Sequence, residues 1–202
     1  MSYDYMPKEK PYALYIHGMG SGAKSGTKTS LGHYFDNYEW LNPELPTDPE
    51  QAMAILDDYA QVFQPQLVAG TSMGGLYTLY VKTPDAIKVA INPTYNVEVT
   101  LRRLGYGKHP YHCERENGEK EYIIDEPLVR RYLQLRDTRQ IERSRRMIAL
   151  FSSDDELVGR EPTKQNAKVL ESFGYEIYWS DKFGHRLNQP AAKKLASIIA
   201  LE

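Results

Sequence analysis

Leu67-Val68-Ala69-Gly70-Thr71-Ser72-Met73-Gly74-Gly75 is the stretch that decides the fold. A short apolar run enters a serine flanked by glycines two positions away on each side, and the residues after it, through Tyr80, read as a helix. Gly70 to Gly74 fits G-x-S-x-G, the signature of a sharp strand-to-helix turn that holds a serine in a strained backbone conformation. The glycines leave room for neighbouring backbone. The following helix directs its N-terminal partial charge at a centre where negative charge would develop.

Working outward, short apolar runs alternate with longer amphipathic stretches. Pro11–Ile16 and Tyr38–Leu41 read as strands before the elbow. Asp48-Pro49-Glu50 reads as a helix start, with Asp48 as N-cap and Pro49 in the first turn. Ala52, Ile55, Leu56, Tyr59 and Phe63 follow on one face, and Pro65 ends the helix. Beyond the elbow, Ala86–Ile91, Met147–Phe151 and Tyr175–Trp179 read as strands, 163–173 as a helix capped by Gly174, and Gln189–Leu201 as the last helix. Strands separated by helices imply an α/β fold: a mostly parallel sheet with helices on both faces. Residues 1–202 then form a single domain with a lid-like insertion at about 94–146, where the rhythm breaks. Inside it, Asn117-Gly118 signals a hairpin, which makes His109, His112 and Cys113 strand residues.

A serine needs a base. Of the 5 histidines, His185 lies in the loop between the last strand and the last helix. That is where the chain order nucleophile, acid, histidine places it. The acid should follow a strand between the two, which leaves Asp154 and Asp155. Asp155 is preferred because Leu157 and Val158 behind it anchor the loop to the core. The loop opening at Gly18 is expected to supply one oxyanion donor, the Met19 N–H, and the residue after the nucleophile the other, the Met73 N–H. His17 reads as a structural histidine that binds loop backbone.

The residues YIHGMGSG at 15–22, GTSMGG at 70–75, INPTYN at 91–96, DDELV at 154–158 and FGH at 183–185 together resemble the small YqiA/YcfP-type esterase family of α/β-hydrolases. The resemblance runs from about Tyr12 to the C-terminus and includes the Tyr122–Leu135 stretch. It implies a compact serine hydrolase with Ser72 as nucleophile, Asp155 as acid and His185 as base. The resemblance supplies no particular substrate; motif order and resemblance together lead to the expectation of a small-molecule acyl ester or thioester cleaved without cofactor or metal.

Composition bounds the rest. The chain has 202 residues, with 25 Lys+Arg against 27 Asp+Glu, a net charge of −2, which argues against a dedicated nucleic-acid binder. A lone cysteine, Cys113, calls for no oxidising compartment. No run is long enough to span a membrane, and MSYDYMPKEK at the N-terminus lacks the form of a secretory signal, so a cytoplasmic location is expected. Two other readings stay open. Gly18–Ser25 nearly matches a phosphate-binding loop, with Ala23 in place of its last glycine, and also a weak dinucleotide pattern with Glu39 as ribose acid. Arg130, Arg131, Arg136, Arg139, Arg143, Arg145 and Arg146 crowd the end of the insertion. They read as a solvated helix face, an anion-attracting rim over the active site, or the basic face of a catalytically weak interaction module.

Overall fold

The computed structural model describes residues 10–181 and 183–201. The N-terminal leader reading falls on residues outside that range. Six strands form one sheet: β1 (Tyr12–Ile16), β2 (Glu39–Leu41), β3 (Leu67–Thr71), β4 (Ile87–Ile91), β7 (Arg146–Ser152) and β8 (Glu176–Ser180). Their order is β2-β1-β3-β4-β7-β8, and every pairing is parallel. β3 and β4 are buried along their whole length, as strands covered on both faces should be.

The helices fall on two faces. α1 (Gly26–Tyr34) and α7 (Gln189–Ile199) lie together on one, where Leu31, Phe35, Leu195 and Ile198 pack against Tyr15, Val89 and Leu150. α2 (Pro49–Phe63), α5 (Glu126–Thr138) and α6 (Arg160–Ser172) cover the other, where Met53, Leu56, Leu128 and Leu170 meet Leu14, Val68 and Phe151. α2 begins as its residues dictate. The Asp48 side chain accepts the N–H groups of Glu50 and Gln51, both at 3.1 Å, and Pro49 occupies the first turn, where no donor is required.

Three elements differ from the expectation. The helix after the elbow, α3 (Met73–Tyr77), ends in successive turns before Tyr80. Between β4 and β7 an eight-residue helix, α4 (Val97–Leu104), precedes the hairpin. The hairpin strands are β5 (Gly107–Pro110) and β6 (Glu121–Ile124), so Asn117-Gly118 lies inside a long 111–120 connection rather than forming a two-residue turn. His109 is a strand residue, whereas His112 and Cys113 belong to that connection. Tertiary bonds hold the connection open: the Arg115 guanidinium and the His112 N–H both reach the loop after β1.

Close packing around the elbow explains its glycines. A Cβ at Gly70 would overlap the Gly74 carbonyl, and one at Gly74 would overlap the Ile16 carbonyl at the end of β1. Both side chains are absent because backbone from another element occupies that space.

Candidate active site

β3 ends at Thr71, and the next residue reverses the chain. Ser72 has φ 59° and ψ −118°, a conformation that costs an ordinary side chain about 1–3 kcal/mol. Hydrogen bonds hold it there. Its N–H donates to Ile91 O at 3.0 Å, and its carbonyl accepts from Thr94 N at 3.2 Å and Leu76 N at 3.1 Å. The side chain is buried, with Oγ 3.4 Å from Thr94 Oγ1. Ser72 is also the N-cap of α3.

β7 ends in Ser152, and the two aspartates beyond it have different environments. Asp155 is buried, and both its carboxylate oxygens face His185 Nδ1, at 3.0 and 2.9 Å. Oδ1 also accepts the N–H groups of Leu157 (3.0 Å) and Val158 (2.9 Å). Asp154 is exposed and points elsewhere, accepting Ser152 Oγ at 2.5 Å and Gly184 N at 3.1 Å.

The histidine loop is tied down by Glu156 and Asn92. Glu156 Oε2 accepts the His185 N–H at 2.9 Å. Gly184 has φ +63° and packs against the same carboxylate. Asn92 follows β4, is buried, and has φ 42°. Its Nδ2 donates to Gly184 O (2.9 Å) and His185 O (3.0 Å), while its Oδ1 accepts Ser152 N (2.7 Å). One side chain thus joins the ends of β4 and β7 to the loop that carries the imidazole. Asn166 does similar work on the neighbouring turn, donating to Pro93 O at 3.0 Å and accepting Asn96 N at 3.1 Å.

The loop after β1 brings Gly18 beside Ser72, where a Cβ would stand 3.1 Å from the serine Cβ. Neither Met19 N–H nor Met73 N–H donates to a protein acceptor among the described residues. His17 braces the loop from beneath. Its Nε2 accepts Leu45 N at 3.0 Å, so Nδ1 carries the proton and donates to Gly18 O at 2.9 Å. Burial, and then the nearby Arg115 charge, pull this imidazole down to about 4. Unfolded, it titrates near ~6.5. Between those values the unfolded chain binds a proton that the native chain does not, so stability falls as pH drops through that window. Urea unfolding at pH 7 and pH 4.5 should show a larger loss for wild type than for His17→Gln, and equal losses would contradict the assignment.

Arg115 clamps the same loop from the hairpin. Its side chain is 2 % exposed and forms an ion pair with Glu44. Nη1 donates to Ser21 O at 2.8 Å, Nη2 donates to Leu45 O at 2.7 Å, and the guanidinium lies 4.5 Å from the Tyr111 ring centre. Arg115→Met should destabilise the protein by about 3–5 kcal/mol, because Glu44 keeps its charge and loses its partner. A thermal midpoint within a degree of wild type would show that the clamp carries no such weight.

A cavity of about 710 Å³ opens over these groups. Gly18, Met19, Ser72, Met73 and His185 all line it, together with Leu101 and Leu104 of α4 and with Tyr122 of the hairpin. The structure therefore brings the sequence-derived candidates to one place, at the C-terminal ends of β1, β3, β7 and β8.

A family profile matches residues 12–202, described as an uncharacterised protein family, UPF0227. The chain belongs to this family. It is the YqiA/YcfP family that the sequence resembled. No curated protein matches this UPF0227 chain. Solved structures do. Est1E from Butyrivibrio proteoclasticus superposes with a TM-score of 0.64 at 14% identity, covering 96% of this chain and 88% of that one. A monoacylglycerol lipase from Paleococcus ferrophilus gives 0.61 at 13% identity, covering 93% and 91%. Esterase PE8 gives 0.58 at 14% identity, covering 95% and 92%. At these identities the likeness establishes the α/β-hydrolase fold of the UPF0227 chain.

The arginine-rich segment lies elsewhere. α5 runs away from the cavity toward the opposite end of the sheet, where Arg146 begins β7, and none of the seven arginines lines the cavity. Arg131 pairs with Asp48, Arg136 with Glu98, and Arg139 with Asp57, while Arg146 grips Glu176 through two bonds of 2.8 and 2.9 Å. The rim reading is corrected accordingly: these four side chains tie helices and strands together, while Arg130 is exposed and pairs with Glu126 of its own helix, as on a solvated face. In the Gly18–Ser25 stretch, Lys24 is drawn to Glu114 at 3.1 Å, and the loop carbonyls of Gly20 and Ser21 are occupied by the hairpin. Among the described residues no group of three or more His, Cys, Asp or Glu side chains gathers as metal ligands, and no helix is long and apolar enough to cross a membrane. His109 Nε2 instead meets Gly105 O at 2.9 Å, and its ring stacks on Tyr122.

Proposed function

We propose that this chain is a serine hydrolase that cleaves carboxylic esters or thioesters through an acyl-enzyme. The observation that carries the reading is the buried Asp155 carboxylate held 2.9 Å from His185 Nδ1, in the same cavity as a serine on a strained elbow. A carboxylate at Nδ1 fixes the tautomer with its proton there, which leaves Nε2 free to take the Ser72 proton. Ser72 Oγ then attacks the carbonyl carbon. The oxyanion rests on the N–H groups of Met19 and Met73, which no protein acceptor uses among the described residues. Protonated His185 gives its proton to the leaving alcohol or thiol. The same ring activates the water that frees the acid.

In the resting geometry Ser72 Oγ meets Thr94 Oγ1 at 3.4 Å and makes no hydrogen bond to His185 among the described residues, so that bond forms as substrate binds. Such tightening on substrate binding is usual for catalytic hydrogen bonds. In this reading the 94–146 segment is the lid: α4 and the hairpin supply the outer wall of the cavity. The test is a panel of 4-nitrophenyl esters and matching acyl thioesters, from acetyl to long chains. Hydrolysis above the buffer rate is expected for part of the panel. Absence of turnover throughout would overturn the assignment.

A further inference from the structure

The cavity wall carries a charge that ester hydrolysis itself does not require. Arg186 follows His185 directly and lines the cavity. Its guanidinium is exposed and makes no hydrogen bond or ion pair among the described residues. It shares the cavity lining with His112, whose protonation is disfavoured first by burial and then by the Arg186 charge. Lys24 adds a second cation, loosely tied to Glu114, since both side chains are about two-thirds exposed, at 67% and 70%. The cavity lining also holds one carboxylate, Glu156, whose Oε2 accepts the His185 N–H at 2.9 Å, so the lining keeps one positive charge in excess. This positive edge belongs to a chain whose net charge is −2, so it is local and does not reflect a general excess. Met19, Leu101, Leu104 and Leu157 add apolar surface to the same lining.

We infer that the substrate is an ester or thioester bearing an oxyanion, a carboxylate or phosphate, which docks on Arg186 with Lys24 beside it. The inference rests on the serine-hydrolase reading and adds the substrate's charge to it. A planar guanidinium offers two parallel N–H donors that match either oxyanion, and in a cleft that excludes part of the solvent such a pair is stronger than on an open surface. The apolar surface takes the hydrocarbon part of the same molecule. Arg186 is then a specificity-determining residue, placed one position from the proposed base so that the anion lies near the reacting carbonyl.

Two substrate pairs test this and report which side of the ester carries the charge. 4-Nitrophenyl hemisuccinate against 4-nitrophenyl butyrate places the carboxylate on the acyl side, and 4-acetoxybenzoate against phenyl acetate places it on the leaving group. Inorganic phosphate and succinate, compared as competitive inhibitors, separate the two oxyanion types. In one pair at least, kcat/KM should favour the charged ester, and Arg186→Met should lower that charged-to-neutral ratio about tenfold, a loss of about 1.4 kcal/mol. Arg186→Lys should recover part of it, and added salt should erode the wild-type preference. Ratios are compared, so intrinsic ester reactivity cancels. A ratio unchanged in Arg186→Met, or equal losses on charged and neutral esters, would overturn the inference while leaving the hydrolase reading intact. No turnover of any ester, together with no labelling of Ser72 by a fluorophosphonate, would instead sink the hydrolase reading and this inference with it.

Discussion

Ser72→Ala is expected to lower kcat for a 4-nitrophenyl ester by on the order of 10⁴–10⁶-fold, with the unfolding midpoint nearly unchanged. The size follows from the role. Without Oγ there is no covalent intermediate, and only the oxyanion donors and binding remain to assist water. The fold should tolerate the change. The backbone bonds of Ser72 to Ile91, Thr94 and Leu76 do not involve its side chain, and the one side-chain bond lost, to Thr94 Oγ1, is long at 3.4 Å. A variant that keeps a tenth of wild-type activity would remove Ser72 from the mechanism.

The second large effect separates the two aspartates. Asp155→Asn should cost about 10³–10⁴-fold in kcat. An asparagine keeps an oxygen for the Leu157 and Val158 N–H groups, so the loop stays in place. Its amide, however, turns a donor toward His185 Nδ1, which forces the proton to Nε2 and leaves no base for Ser72. Asp154→Asn keeps an acceptor for Gly184 N and Ser152 Oγ and does not face the imidazole, so activity should stay within about tenfold. Comparable losses in both variants would mean that either substitution acts by disturbing the loop at 183–187.

These expectations rest on residues that local pattern could reach. An apolar strand, a glycine-flanked serine and a helix-forming run fall within a dozen residues, so the elbow is a local feature. The parallel sheet follows from the alternation of runs, and the start of α2 follows from Asp48-Pro49. His185 and Asp155 were reached through chain order, because each follows a recognisable strand. Asp155 turns its carboxylate toward the imidazole and is followed by the buried Val158, and the paired asparagine variants decide which aspartate is the acid.

What escaped was long-range. Asn92 reaches Ser152 and the 184–185 carbonyls, residues 60 to 93 positions away, and nothing in its own surroundings announces that. Arg115 stands outside the conspicuous arginine cluster, yet it is the buried one that grips the loop after β1. The cluster itself misled because composition cannot show that acids far along the chain, such as Asp48, Asp57, Glu98 and Glu176, would meet it. The hairpin signal at Asn117-Gly118 was overridden by tertiary bonds that hold 111–120 as a broad connection. α4 is eight residues long and draws its order from packing against α5, so its residues alone gave little sign of it.

The central claim is that Ser72 is an activated nucleophile. A fluorophosphonate probe incubated with the folded protein, followed by proteolysis and mass spectrometry, tests it most directly. One adduct per chain on the peptide that contains Ser72, lost in Ser72→Ala and strongly slowed in Asp155→Asn, is the predicted result. An adduct on another residue, or none on protein shown to be folded, would contradict it.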